Sequence, residues 1–487
     1  MKHLPITFIE QMTPLLGENE AQDFFDSLSS EPSVSFRLNP LKVKKADGQT
    51  TSSLKSVPWA SHAFYLSKKH PFTFDPSFQA GHYYVQEASS MFIETALKKY
   101  IPHQTIGSAD TYIALDLCAA PGGKSTHLRS LLPDGAWLIS NEVIRNRSQI
   151  LAENMMKWGH PEVCVTNNDP ADFTQMTHLM DLIVADVPCS GEGMFRKDEG
   201  AIDEWSTGHV RLCAERQRRI ITDVWPSLKP GGLLLYSTCT YNLEENERNV
   251  QWICDELGGE SLIINTDKSW NVLPSLAPEL PTLNVARFMP HKTKGEGFFC
   301  ALIRKKEGPI DSIDYAALIA KELKKSKRKK SEKDNVNKNA HKMVSQWLMP
   351  DYSFDVIPKG DFFTAIKHGH LSLVQYLYTR LKVHFAGVVL GEEKGRSFIP
   401  HQSLALSPLL NKQSFPSVEI NYSQTIAYLR REAITLEMDV PRGIVLLKYE
   451  GNPIGFVKNI GNRANNLYPQ EWRIRSSYGP DIIDKLF

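Results

Sequence analysis

An α/β fold built on a doubly wound parallel sheet is predicted for the middle of this 487-residue chain, on three observations. Between about 110 and 305, short apolar runs alternate with longer amphipathic stretches, the pattern of a sheet covered by helices on both faces. The first run leads into a glycine-rich turn, DLCAAPGGKST at 116–126, at the strand end where such sheets bind ligands. The chain is also too long for one hydrophobic core, so further domains must flank this one.

The strand candidates are YIALDL (112–117), AWLIS (136–140), EVCVTN (162–167), DLIVADV (181–187), GGLLLYS (231–237) and GFFCALIRK (297–305). A long helical connection, AIDEWSTGHVRLCAERQRRIITDVWPSL, lies between the fourth and fifth and stops at Lys229-Pro230-Gly231-Gly232. Upstream, the helical patterns ITFIEQMTPLL and AQDFFDSL precede an extended SFRLNPLK (35–42), which together read as a small α+β module. After about 343 the texture turns to short β-like runs, and EGNPIG between two alternating runs signals a hairpin. The layout is therefore an N-terminal module at 1–80, a catalytic-type core at 81–307, a linker at 308–342, a bridging domain at 343–410 and a β-rich domain at 411–487.

A formal charge of +1 gives no whole-chain basic signature, so nucleic-acid affinity has to come from local patches. One such run, KELKKSKRKKSEK, carries Lys321, Lys324, Lys325, Lys327, Arg328, Lys329, Lys330 and Lys333 and reads as a solvated linker able to touch phosphates. The N-terminus lacks a basic region followed by an apolar core, and no apolar run approaches membrane-span length, so a cytoplasmic protein without membrane contact is expected. The seven cysteines form no C-x-x-C pair, which argues against both a disulfide framework and a structural metal.

The Gly-Lys-Ser of the turn suggests a phosphate loop, but that motif needs glycine five residues before the lysine-preceding glycine, where Cys118 stands. Pro121 removes a further N–H donor from the cradle. A nucleoside without a triphosphate fits better. Gly122 and Gly123 permit close backbone approach, and Glu142, 20 residues after Gly122, stands where an acidic side chain takes ribose hydroxyls.

Two thiols, Cys189 in DVPC and Cys239 in STCT, each follow the carboxyl end of a strand candidate. If those strands are neighbours, both thiols face one crevice beside the loop. Cys118, Cys164, Cys213, Cys254 and Cys300 are expected to be small buried hydrophobes. Two thiols, the carboxylate of Asp186 and a nucleoside cofactor suit methylation of cytosine C5. Thiolate addition to C6 converts the ring to an enamine with a nucleophilic C5, and covalent catalysis splits the hard step. Asp186 would stabilise the adduct near N3, either as an acid or as an acceptor for the exocyclic amine.

The motifs DLCAAPGGK (116–124), DVPCSGEG (186–193), STCTYNLEENE (237–247) and RFMPHKTKGEGFFCALIRK (287–305) together resemble the RNA cytosine-C5 methyltransferases that use S-adenosylmethionine. SFRLNPLK resembles that family's N-terminal substrate module, QEASS (86–90) its joining segment, and residues 443–469 a PUA-type RNA-binding domain. The resemblance implies a Rossmann-like class I methyltransferase core and an enzyme acting on 16S rRNA, in the decoding region of the assembled 30S subunit; a monomer is expected because the RNA surface needed is large. It places Cys118, Ala119, Ala120, Pro121, Gly122, Gly123 and Lys124 around the cofactor's methionine part, Glu142 on the ribose, Asp169 near the adenine and Asp186 against the base. It also makes Cys239 the nucleophile and Cys189 the thiol that aids release, an order the residues alone leave open. The other readings are a transfer-RNA methyltransferase, a non-catalytic assembly factor, for which neither thiol has a use, and an NTPase, which would bind triphosphates through Lys124.

Overall fold

The computed structural model describes residues 3–43, 54–102, 112–309, 314, 317–319, 338–395 and 397–486. The Lys-rich run at 321–333 lies outside the described residues. Two helices open the chain, Ile6–Leu16 and Glu18–Ser27, followed by a four-stranded sheet of β1 (Ser35–Leu38), β2 (Lys55–Ser56), β3 (Ala63–Tyr65) and β4 (Tyr83–Val85) in the order β2-β3-β1-β4. The N-terminal module thus reaches past residue 80, because β1 pairs with β4 from Phe36↔Val85 to Leu38↔Tyr83.

The central sheet contains β5 (Ile113–Asp116), β6 (Trp137–Asn141), β7 (Val163–Thr166), β8 (Met180–Asp186), β9 (Leu228–Thr238), β10 (Gly259–Leu262), β11 (Ala286–Phe288) and β12 (Phe298–Lys305). Five of these, β9-β8-β5-β6-β7, run parallel, and the order reverses at β5. That reversal opens a crevice at the strand ends. Their apolar runs alternate between two cores: Leu182, Val184, Leu233 and Leu235 pack on one face, and Ile183, Ala185, Leu234 and Tyr236 on the other. Successive strand side chains point to opposite faces, so continuous apolar runs fill both cores.

The sheet is not wholly parallel. The helix Glu247–Leu257 carries the chain over from β9 to β10, and β12 returns antiparallel between them, with Thr238↔Phe299 on one side and Leu262↔Leu302 on the other. A short loop joins β11 to β12, and a hairpin of that length can only be antiparallel. The connection between β8 and β9 is two helices, Glu199–Glu204 and Thr207–Val224, and β9 starts at Leu228, ahead of the expected stop.

Beyond residue 342 come a four-stranded sheet of β13 (Phe354–Lys359), β14 (Phe362–Lys367), β16 (Val388–Lys394) and β17 (Ser397–Pro400), and another of β18 (Ser417–Glu419), β19 (Gly443–Tyr449), β20 (Asn452–Asn459) and β21 (Ala464–Asn466). The hairpin β19–β20 turns at Glu450-Gly451, both at positive φ, so Asn452 and Pro453 already belong to the return strand. The remaining strand, β15 (Val383–Ala386), leaves its neighbours and pairs antiparallel with β7, closing that edge of the central sheet. His370 stacks on Trp137, and Lys367 pairs with buried Glu162 nearby. Among the described residues, no helix is long and apolar enough to cross a membrane.

Arg287 of β11 and Glu247, both buried, form a two-point ion pair, and Arg287 Nη1 also donates to Tyr241 O at 2.8 Å. Arg287→Ala would leave a buried, unpaired carboxylate and is expected to lower unfolding free energy by about 3–5 kcal/mol in urea titration.

Candidate active site

Strands β5, β8 and β9 deliver the site. Beyond β5 the chain turns through Cys118–Gly122 and enters the helix Gly123–Leu131. Gly122 is at φ +119°, a backbone conformation side chains rarely adopt, and its neighbours Leu151 and Asn154 already lie where a Cβ would make contact. The loop is tied from outside: Arg147 donates to Ala120 O at 2.9 Å and Asn154 to Pro121 O at 2.8 Å. A cavity of about 210 Å³ lies over it, lined by Tyr84, Gln86, Cys118 to Pro121, Gly123, Lys124 and Asp186. Cys118 is only half-buried and so is not the buried hydrophobe expected, and Cys254 departs in the same way. Cys118 packs against the edge of the apolar layer that encloses Cys164, at the strand end where the cofactor loop begins.

Asp116, at the end of β5, is fully buried and accepts from Ser125 Oγ at 2.6 Å through Oδ2, while Oδ1 has no hydrogen-bond partner among the described residues. Burial pushes its carboxyl up to about 7. Glu142, beyond β6, is buried to 3% exposure; Oε1 accepts from Ile144 N at 2.9 Å and Oε2 lies 3.5 Å from Arg147. Asp169 caps the turn at 170–173, accepting from Ala171 N at 3.1 Å, and faces Arg219 at 3.5 Å.

Strands β8 and β9 pair in parallel with Asp186 opposite Ser237. Asp186 accepts from Ser237 Oγ at 2.8 Å and from Lys124 Nζ at 2.8 Å, so Lys124 reaches across from the loop to the carboxylate. Burial opposes the lysine's charge, but Asp186 prevails and holds its pKa above the usual value. Three residues past Asp186 and two past Ser237 the thiols meet: Cys189 Sγ and Cys239 Sγ are 3.3 Å apart. That hydrogen bond, and then burial, push the Cys189 thiol well above its ordinary pKa.

Two buried glutamates beside these thiols, Glu192 and Glu245, were not singled out from the sequence, although both lie inside the thiol motifs. Acidic residues in a Gly- or Asn-rich turn ordinarily read as solvated, and their burial depends on how the turns meet. Asp116 was missed for a similar reason, although a charged residue ending an apolar run was a usable signal.

Against known families, residues 104–304 match the one described as "16S rRNA methyltransferase RsmB/F", residues 4–88 the N-terminal domain of 16S rRNA methyltransferase RsmF, and residues 415–474 the methyltransferase RsmF PUA domain. By these matches the chain is similar to the RsmB/F methyltransferases in its core and to RsmF in the segments on either side. Its curated relatives include ribosomal RNA small subunit methyltransferase F of Aeromonas hydrophila, 28% identical over 96% of this chain and 97% of that one. The protein of the same description from Vibrio cholerae serotype O1 is 27% identical, again over 96% and 97%. Among solved structures, a methyltransferase homologue from Pyrococcus horikoshii aligns at 28% identity with a TM-score of 0.52, over 62% of this chain and 96% of that one. The RsmB/F core is thus a Rossmann-like methyltransferase fold, with a PUA domain at the carboxyl end.

Asp116 has its folded pKa raised, so the folded state holds a proton that the unfolded chain has released above about pH 4. Stability should therefore fall as pH rises from about 4 to about 7, by up to ~1.4 kcal/mol per pH unit from this group. Asp116→Asn should flatten that slope, read from urea midpoints at pH 5 and pH 8.

Proposed function

We propose that this chain methylates cytosine C5 in 16S rRNA, in the decoding region of the assembled 30S subunit, using S-adenosylmethionine and acting as a monomer. The observation that carries the reading is the contact between Cys189 and Cys239 at the ends of adjacent strands, beside an Asp186 that also lines the cleft under the glycine loop. The names of the curated relatives and of the matched families support the substrate class.

The cleft suits the cofactor. Gly122 and Gly123 leave the loop backbone open to close approach, Glu142 stands past the neighbouring strand, and Asp116 offers a buried oxygen with no partner among the described residues. Cys118 to Lys124, Glu142 and Asp169 would hold the cofactor, which supplies an electrophilic methyl group when bound.

Cys239 adds as thiolate to C6, making C5 nucleophilic. The role falls to Cys239 and not to Cys189 because STCT, at 237–240, is the segment that resembles the family's nucleophile motif. Asp186 already accepts two hydrogen bonds as a carboxylate, which suits it to receive the exocyclic amine. Lys124, paired with it, keeps a positive charge where the ring gains electron density. Once C5 is methylated, its proton passes to a solvent water, the electron pair of the C5–H bond forms C5=C6 and the Cys239–C6 bond breaks with Cys239 leaving as thiolate; Cys189, 3.3 Å away, is placed to assist that departure. The target base must leave its stack, since a thiol cannot reach C6 of a stacked pyrimidine.

The test is a denaturing gel of protein incubated with 30S subunits and S-adenosylmethionine. Cys239→Ala should form no protein–RNA adduct, and Cys189→Ala should accumulate one. Exchange of those outcomes would exchange the roles, and absence of any adduct with 30S subunits and free 16S rRNA alike would overturn the reading.

A further inference from the structure

The turn that follows each thiol is held by a carboxylate from the other. Glu192, three residues after Cys189, accepts from Thr240 Oγ1 at 2.5 Å, Tyr241 N at 2.7 Å and Asn242 N at 2.9 Å, all in the turn after Cys239. Its other oxygen takes Trp205 Nε1 at 2.9 Å and Asn242 Nδ2 at 3.0 Å. In the opposite direction, Glu245 from the Cys239 motif accepts from Ser190 N, next to Cys189, at 2.9 Å and from Gln217 Nε2 at 2.7 Å. Asn242 Nδ2 joins the two, 2.7 Å from Glu245 and 3.0 Å from Glu192. Gly193 N completes the contact by donating to Cys239 O at 2.7 Å, with so little room that a Cβ at Gly193 would lie 2.4 Å from that oxygen.

Both glutamates are fully buried, and burying two carboxylates together is unfavourable unless their lone pairs are filled. Burial, and then the neighbouring Glu192, push Glu245 up to about 7. A hydrophobic contact between the turns would be cheaper for stability alone. What the carboxylates add is direction: each fixes backbone N–H groups one to three residues from a thiol, so neither turn can shift without breaking charged hydrogen bonds.

We propose that Glu192 and Glu245 are reciprocal positioning residues that set the separation and aim of the two reactive thiols. This rests on the reading of Cys239 and Cys189 as nucleophile and release thiol, and neither glutamate touches the base or the cofactor cleft. Replacing either carboxylate by its amide introduces an N–H₂ among donors, so the turn must move.

The experiment compares wild type with Glu192→Gln, Glu245→Gln and Thr240→Val, in the full-length protein. One readout needs no substrate: the rate at which one equivalent of the azo oxidant diamide, which accepts two electrons and two protons, converts the two thiols to a Cys189–Cys239 disulfide, followed by intact mass and peptide mapping. The second is methyl transfer to 30S subunits, separated into kcat and KM. The expected result is disulfide formation slowed about tenfold in both amides, with kcat down at least tenfold and KM within about twofold of wild type. Thr240→Val, which removes the hydroxyl that donates to Glu192 and accepts from Asn242 Nδ2 but leaves both carboxylates in place, should show a smaller change of the same kind and decides the matter if an amide variant does not fold. Wild-type cross-linking rates in the variants would overturn the proposal, whatever kcat does. Should wild type itself transfer no methyl group to RNA, the functional reading fails while the cross-linking rates still judge the clamp.

Discussion

The pairing of β8 with β9 is the constraint on which the site depends. Parallel strands with Asp186 opposite Ser237 emerge at one level of the sheet, so the segments that follow them diverge from a common origin. A slip of one residue would turn Asp186 toward the opposite face and carry its thiol-bearing turn away from the other. Burial on both faces prevents that slip: Leu182 and Val184 fill one core while Ile183 and Ala185 fill the other, and exchanging them would put the polar Asp181 and Asp186 into the apolar layers.

Much of this was legible in the sequence, for identifiable reasons. Strands such as DLIVAD and GGLLLYS are continuous apolar runs because both faces are covered, and their ends were marked by the first charged or hydroxyl residue. The glycine loop was legible because Gly122 needs a positive φ that few residues supply. Less legible were the features made by distant residues meeting. Nothing local in Val383–Ala386 distinguishes a strand of the catalytic sheet from one of its own domain, because the choice is made by the open edge of β7. Antiparallel β12 was likewise hidden, since direction in a sheet is set by connections and not by the strand's own residues. Lys124 read as part of the cofactor loop, yet its side chain crosses to Asp186 at the end of the neighbouring strand.

The polar interior around the thiols differs in kind from the apolar cores. Hydrophobic contact fixes volume and is tolerant of small movements, whereas a carboxylate with filled lone pairs fixes direction. Here the sheet supplies the coarse placement and the buried network at Glu192, Asn242 and Glu245 supplies the fine one. Arg287, bound to both Glu247 and Tyr241 O, extends that network to β11 and so to its hairpin partner β12, which begins at Phe298, whose ring lies 5.3 Å from Lys124.

The edge strand β15 ties catalysis to the chronology of synthesis. Elongation produces β5 to β12 first, and at that stage β7 presents an unpaired edge of the sort that recruits strands from other chains. The edge is covered only after residue 386 has been made, from a segment separated from β7 by more than two hundred residues of sequence. The catalytic half is therefore not an autonomous cassette: its sheet is finished by the part of the chain that carries the PUA domain, and a nascent or truncated protein ending before that strand is exposed to the wrong partners.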